Sequence, residues 1–209
     1  MKQEILKALA ELRKDKERKF DQTVDLVVNL KKFDAKKSQM NFIVKVPFKI
    51  KDKKICAFLE NKNKEIETVT GDQFKSYTDK NALKKLVKNY DFFVAQASLM
   101  PKVATTFGRV LGPAGKMPSP QLGILTEVNK EEIEKLKNKI NNSIKIKAKE
   151  NSIKLAVGKQ SMKDEEIVEN ILNIYEAIVK NLPREKENVK NLELKFTMTK
   201  PQKISGENL

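Results

Sequence analysis

The chain has no histidine and no tryptophan, and only one cysteine among its 209 residues. Without histidine there is no His-ligated zinc, no histidine general base and no Ser-His or Cys-His nucleophile pair. One cysteine excludes a disulfide within the chain. Cys56 lies in the apolar run Ile55-Cys56-Ala57-Phe58-Leu59, which predicts a buried, inert thiol in a reduced, cytoplasmic setting. Long hydrophobic runs are missing too. The longest, near Phe92 to Pro101, is roughly ten residues, about half of what a membrane-crossing helix needs. The charged start, Met1-Lys2-Gln3-Glu4, predicts no signal peptide. Glycine and proline are scarce, seven of each, yet three of each fall between Phe107 and Pro120.

Acidic residues are the minority sign. There are 28 Asp and Glu against 43 Lys and Arg, a formal charge of +15. Such an excess points to a polyanionic partner, most simply a nucleic acid, although a lysine-rich solvated surface gives the same count. The excess is clustered. Between Arg13 and Lys54 there are 14 Lys or Arg and 6 Asp or Glu, so one fifth of the chain carries +8. Clustered cations suit phosphate binding, since each neutralised phosphate releases counterions. Hydrophobic residues at 39% with 34% charged residues describe a folded, highly charged protein. The length allows one large domain or two small ones.

The hydrophobic rhythm changes twice. Gln3 to Arg18 places Ile5, Leu6, Leu9 and Leu12 on one helical face. Phe20 to Leu30 alternates, with Val24, Leu26, Val28 and Leu30 on one side, as a half-buried strand does. Asn41 to Phe48 repeats this with Phe42, Val44, Val46 and Phe48. From about Asp52, short apolar runs (Ile55 to Leu59, Ile66 to Val69, Phe92 to Ala95, Ile124 to Leu125) alternate with helical stretches. Those stretches are Asp79 to Asn89, Ser98 to Val110 and Asn129 to Ile140, with Asp79, Ser98 and Asn129 as N-caps. That order suggests βαβ units and a mostly parallel sheet. After Asn141 the alternating style returns. Ile144 and Ile146, then Ile153, Leu155 and Val157, read as a hairpin. An amphipathic helix follows from about Asp164 to Leu182, and a last strand runs from Leu192 to Ile204. The expected fold class is α/β. An α+β domain is built from residues 1–51 and 142–209, and a doubly wound domain of residues 52–141 is inserted into it. Chain crossings near Lys51 and Asn141 form a natural hinge.

Three stretches carry possible chemistry. Phe107 to Pro120 reads as a stiff basic loop that could cradle phosphate or simply shape the surface. It is not a Walker A loop, because Met117 follows Gly115-Lys116 and Val110 stands where that motif needs glycine. No G-x-G-x-x-G occurs, so a nucleotide-dependent enzyme has little support. Lys19-Phe20-Asp21-Gln22-Thr23 offers a cation for phosphate, a ring for stacking and a hydroxyl for a 2′-OH, or else a strand start with Phe20 in the core. Phe196-Thr197-Met198-Thr199-Lys200-Pro201 suits a shape-reading RNA contact on an exposed strand end, or a plain terminal strand. The acid pairs Glu131-Glu132 and Glu165-Glu166 sit in first helical turns, where they favour the helix dipole. A general RNA chaperone without site preference would fit the charge but not the particular motifs.

Taken together, these residues resemble the large-subunit ribosomal protein one family, the protein of the mobile lateral stalk, in its archaeal form. The most specific part is Gly108 through Pro120, similar to the family's middle-domain signature. Asp91 through Gln96, Lys19-Phe20 through Thr23-Val24, Val157-Gly158-Lys159 and Phe196-Thr197-Met198 also fit in order. The resemblance implies a discontinuous domain that binds large-subunit rRNA and an inserted Rossmann-like three-layer lobe. It implies a non-enzymatic part of the large ribosomal subunit, monomeric when free, with no cofactor, metal or membrane. Exit-site tRNA and the protein's own mRNA are further implied partners, the latter as a target of translational repression. The RNA contacts it implies are Lys19, Phe20, Thr23, Thr197, Met198 and Thr199, with Lys159 from the Val157-Gly158-Lys159 turn. Thr199 stands where the family usually has glycine, Ala114 where it has arginine, and Phe48 where it has histidine.

Overall fold

A computed structural model of the chain describes residues 1–16, 18–34, 40–63, 65–77, 79–120, 122–125, 129–148 and 150–204. The chain divides into two compact units, Met1–Lys51 with Asn142–Leu209, and Asp52–Asn141.

The first unit opens with α1 (Lys2–Arg13), whose Ile5, Ala8, Leu9 and Leu12 are buried. The helix stops at Arg13, five residues before the hydrophobic pattern and charge suggested, because no apolar residue follows Leu12 to hold another turn on the core. Two strands follow, β1 (Thr23–Leu30) and β2 (Met40–Lys45). The chain re-enters this unit with β7 (Ser143–Ala148), β8 (Ser152–Lys159), α5 (Asp164–Asn181), β9 (Val189–Phe196) and β10 (Gln202–Ile204).

The main sheet has the order β10-β9-β1-β8 and is antiparallel throughout. β1 is therefore central and flanked by two strands from the far end of the chain. β2 pairs with β7 in a separate two-stranded ribbon. Val24, Leu26, Val28 and Leu30 are buried, as their alternation predicts. α1 and α5 share that core, α5 through Ile167, Ile171, Ile174 and Ile178. Each of these isoleucines is fully buried, which contributes on the order of 2 kcal/mol apiece. Asn170 is buried among them, and its amide is satisfied by Phe48 and by the Val157 carbonyl.

Two expectations need correction here. β7 and β8 do not form a hairpin ladder, since among the described residues β7 pairs with β2 and β8 with β1. Alternation reports a buried face but not the partner strand. The last strand is also two strands, with β9 ending at Phe196 and β10 folding back on it. Pro201 lacks an N–H, and the tight hydrogen bonding of Phe196 to Thr199 turns the chain before it.

The second unit holds β3 (Ile55–Leu59), β4 (Glu67–Thr70), α2 (Lys80–Asn89), β5 (Phe92–Gln96), α3 (Met100–Ala114), β6 (Ile124–Leu125) and α4 (Lys130–Asn141). Its strands are all parallel, in the order β4-β3-β5-β6. β3 is buried at every residue because helices cover both faces. Cys56 and Phe58 point to the layer holding α2 and α3, while Ile55, Ala57 and Leu59 point to the layer holding α4. This is a three-layer α/β unit. Asp79 caps α2 by accepting from the Asn81 amide at 3.2 Å. Ser98 is not a cap. It sits in a 3-10 turn over Ala97–Leu99, and its hydroxyl donates to Glu60 Oε1 at 2.7 Å.

Candidate nucleic-acid interface

The glycine-proline stretch is the first surprise of the structure. Phe107 through Ala114 belongs to α3 and not to a loop. Phe107 is fully buried, in contact with the rings of Phe58 at 4.8 Å and Phe74 at 5.1 Å. α3 ends at Gly115, whose φ of 68° is the left-handed value that glycine adopts without strain. Its amide donates to the Gly112 carbonyl at 2.9 Å, and Lys116 N to Leu111 O at 3.0 Å. Lys116 then spends its ammonium on the carbonyls of Val87 and Tyr90, both at 2.7 Å. A helix C-terminus carries partial negative charge, so this motif lacks the N-terminal dipole that draws phosphate. A phosphate cradle at Gly112 to Gly115 is therefore corrected to a helix cap. At the carboxyl edge of the same sheet, where nucleotides commonly dock, Glu60 N donates to Gln96 Oε1 at 3.2 Å and Ser98 closes on Glu60.

The other two stretches meet. β1 runs antiparallel to β8 and β9, so its start lies beside the ends of both. Thr23 pairs with Lys159 and Val24 with Phe196 in register. Residues 19–23, 159–163 and 196–199 thus converge at one end of the sheet. Phe20 is 51% exposed and Met198 is 58% exposed, the large hydrophobics that the described surface leaves to solvent. Lys19 and Thr197 are exposed, and Thr23, Lys159 and Thr199 are half-buried. The structure therefore brings all seven expected residues to one end of the first unit. Phe20 stays out of the core because the strand begins only at Thr23, so the buried phase that would claim it stops at Gln22.

Short hydrogen bonds fix this end. The Thr197 hydroxyl accepts from Thr23 N at 3.1 Å and reaches the Thr23 carbonyl at 3.4 Å. The Thr199 hydroxyl accepts from Phe196 N at 2.9 Å and lies 3.4 Å from the Phe196 carbonyl, which staples the turn from within. Thr199 has no positive φ, so the turn here does not need the glycine common in the family. Asp21 accepts from Ser161 N at 3.0 Å and Ser161 Oγ at 2.9 Å, with Lys159 Nζ at 3.5 Å. Burial pushes its carboxyl up, but the Ser161 hydrogen bonds and the Lys159 ammonium outweigh this and leave it below the usual value.

Arg13 completes the frame. Its guanidinium donates to Asp164 Oδ1 from Nε at 2.9 Å and Nη2 at 2.6 Å, and to the carbonyls of Gln160 at 3.0 Å and Met162 at 3.1 Å. The fork geometry of arginine matches such a set of acceptors. It ties the end of α1 to the turn that carries Lys159. Gly158 sits behind this turn, where an added Cβ would meet Ile167 Cγ1 at 3.0 Å. Arg13, Asp21, Gln22 and Ser161 were not singled out by sequence. Gln22 alone carried a signal, because it continues the buried phase of Val24 and Leu26 with a polar side chain.

Chemically, this end offers a ring, a thioether, two ammonium groups and several hydroxyls on a fixed frame. Nothing here resembles a catalytic set, and among the described residues no group of His, Cys, Asp or Glu could hold a metal. No helix of the described residues is long and apolar enough to cross a membrane.

Comparison with known proteins agrees with the motifs. Residues 12–200 match the model of the ribosomal protein L1p/L10e family. A large ribosomal subunit protein uL1 from Nanoarchaeum equitans is 34% identical, covering 89% of this chain and 92% of its own length. One from Pyrococcus abyssi is 31% identical over 98% of this chain and 97% of its own. A third, from Pyrobaculum islandicum, is 34% identical over 91% and 87%. The match spans both units and all three converging segments, and the chain belongs to the ribosomal protein L1p/L10e family.

Proposed function

We propose that this chain is an rRNA-binding structural constituent of the large ribosomal subunit, working in the cytoplasm as part of the ribosome and carrying no enzymatic activity. The domain formed by residues 1–51 and 142–209 holds the RNA. Lys19, Phe20, Thr23, Lys159, Thr197, Met198 and Thr199 make the contacts. The inserted domain, residues 52–141, is a Rossmann-like lobe that carries no nucleotide. Release of deacylated tRNA from the exit site and repression of the protein's own mRNA complete the reading, and the free protein is a monomer.

One observation carries the reading. Phe20 and Met198 stand in solvent at one end of an ordered sheet, beside lysines and hydroxyls. Covering two large apolar groups that stand in solvent is favourable. RNA offers unstacked bases and sugars for the apolar groups, phosphates for the cations and 2′-OH groups for the threonines.

Filter binding with purified large-subunit rRNA tests this. Phe20→Ala, or Thr197→Ala with Met198→Ala, weakens binding by roughly 1–3 kcal/mol per major contact. Lys19→Ala shallows the salt dependence by about one counterion. Wild-type affinity in the Phe20 variant would overturn the site. Footprinting on the same RNA locates the contact, and competition by unrelated RNA at equal strength would favour an unspecific binder.

A further inference from the structure

Gln22 is 2% exposed, so it cannot be one of the groups that reach RNA. Its buried side chain nevertheless bonds to both turns at this end of the sheet. Its backbone carbonyl accepts the Gln160 backbone N–H at 2.8 Å. Its Nε2 donates to Gln160 Oε1 at 3.2 Å, and its Oε1 accepts the Met198 amide at 3.1 Å. The orientation of the side-chain amide is forced. A backbone N–H can only donate, so Oε1 must face Met198, and Nε2 is left to face Gln160. One buried side chain thereby joins two turns that are 38 residues apart in sequence and share no ladder, from a position just before β1 and more than 130 residues away.

The two turns have unequal support. The turn with Lys159 is also held by Arg13, Asp21 and Ser161. The turn with Met198 has its own threonine staples, but its Met198 amide has Gln22 as its acceptor. Without that acceptor, the amide must either stay unpaired beside the core or swing out to water. Swinging out moves the Met198 side chain with it.

We infer that Gln22 is a positioning residue, which locks the Met198 turn against the Lys159 turn before RNA arrives. The inference rests on the proposal that this end binds rRNA. Its physical content is preorganisation. A face already in its bound shape loses less conformational freedom on binding than two loose turns do.

The test uses the full chain and purified large-subunit rRNA. Gln22→Leu keeps the volume but removes both side-chain hydrogen bonds. It weakens RNA binding about tenfold, in line with the loss of one buried hydrogen-bond partner. In the free variant the Met198 amide exchanges with solvent faster, seen by NMR, while the amides of Leu26 and Val28 in β1 do not. In a Met198→Ala background the same substitution adds less than about threefold, because coupled residues are not additive. If Gln22→Leu fails to fold, Gln22→Asn, which withdraws the amide by one methylene, is read in the same three ways. Unchanged RNA affinity in a folded variant overturns the inference, and so does an undiminished tenfold loss in the Met198→Ala background. Absence of RNA binding by the wild type is seen before any variant is made, and it would sink the functional reading itself.

Discussion

Asp25 lies on β1 directly opposite Lys195 of β9, yet its carboxyl titrates above the usual range. Burial raises it more than the neighbouring ammonium lowers it. An acid with a raised folded-state value holds its proton more tightly when folded. Its contribution is favourable below the ordinary carboxylate value of about 3.9 and is lost as pH rises through the folded value. At neutral pH, therefore, ionised Asp25 costs stability. Asp25→Asn raises the melting temperature at pH 7 and gives little or no gain at pH 3. A gain that is larger at pH 3 would reverse the assignment. Cys56 is the second titrating residue with a clear outcome. It is 1% exposed, and burial, helped by Glu67, pushes its thiol up to about 12. Thiolate is the reactive form, so a disulfide reagent at pH 8 leaves the folded protein unlabelled and labels it promptly in denaturant. That inertness was legible in the apolar run around Cys56. Alternation left the placement of Phe20 open, because its even-numbered phase matches Val24 and Leu26 and fits the core as well as a stacking contact. The strand start that frees it is set by pairing with β8 and β9, from the opposite end of the chain.

At the scale of elements, local pattern located the strands and helices better than it located their partners or ends. The parallel unit was legible because its short apolar runs, with β3 buried at every residue, alternate with helices that have an apolar stripe. The hairpin of β7 with β8 was misread because nearness in sequence outweighed a register that only tertiary packing decides. The glycine-proline motif was misread because glycine and proline usually punctuate loops. Here packing of Val103, Phe107 and Leu111 against the sheet carries the helix through Gly108 and Gly112. Two glycines of this motif region now predict opposite outcomes. A Cβ on Gly108 would meet nothing within 4 Å, and glycine inside a helix is less favourable than alanine by about 0.8–1 kcal/mol. Gly108→Ala therefore stabilises by up to about 1 kcal/mol in urea unfolding. A Cβ on Gly123 would lie 2.7 Å from Ser119 N and 2.9 Å from Pro118 Cα. Those are backbone atoms in a turn closed by the Gly123 amide on the Ser119 carbonyl at 2.7 Å. Gly123→Ala therefore destabilises by roughly 1–3 kcal/mol. Equal effects of the two substitutions would contradict the assignment of the motif to helix and turn.

The molecule as a whole is two hydrophobic cores on one chain. The buried residues of one core lie up to Val46 and from Ile146 onward, with Ile50 and Ile144 packed against them. The other two clusters, on the two faces of the parallel sheet, draw only on residues between Ile55 and Ile140. Among the described residues, no core cluster mixes residues of the two units, so each unit has a core of its own. The chain passes from one unit to the other between Lys51 and Asp52 and again between Asn141 and Asn142. The first unit also closes on itself at the point of insertion. Lys45 pairs with Ser143, and Val46 N donates to the Asn142 carbonyl at 2.7 Å. The chain beyond Val46 is then pinned at Phe48 by the buried Asn170. Replacing residues 52–141 with a short glycine linker therefore leaves a loop of about ten residues between β2 and β7, and loop closure of that size costs little. The spliced protein unfolds in one cooperative transition with a smaller dependence on denaturant, since it exposes less surface. Every residue proposed to touch RNA remains in place, as do Gln22 and Arg13. Its affinity for large-subunit rRNA stays within about threefold of the full chain, because every proposed contact lies in the unit that remains. A spliced protein that folds cooperatively but has lost its RNA would place essential contacts in the inserted lobe, and the division of labour between the two units would have to be abandoned.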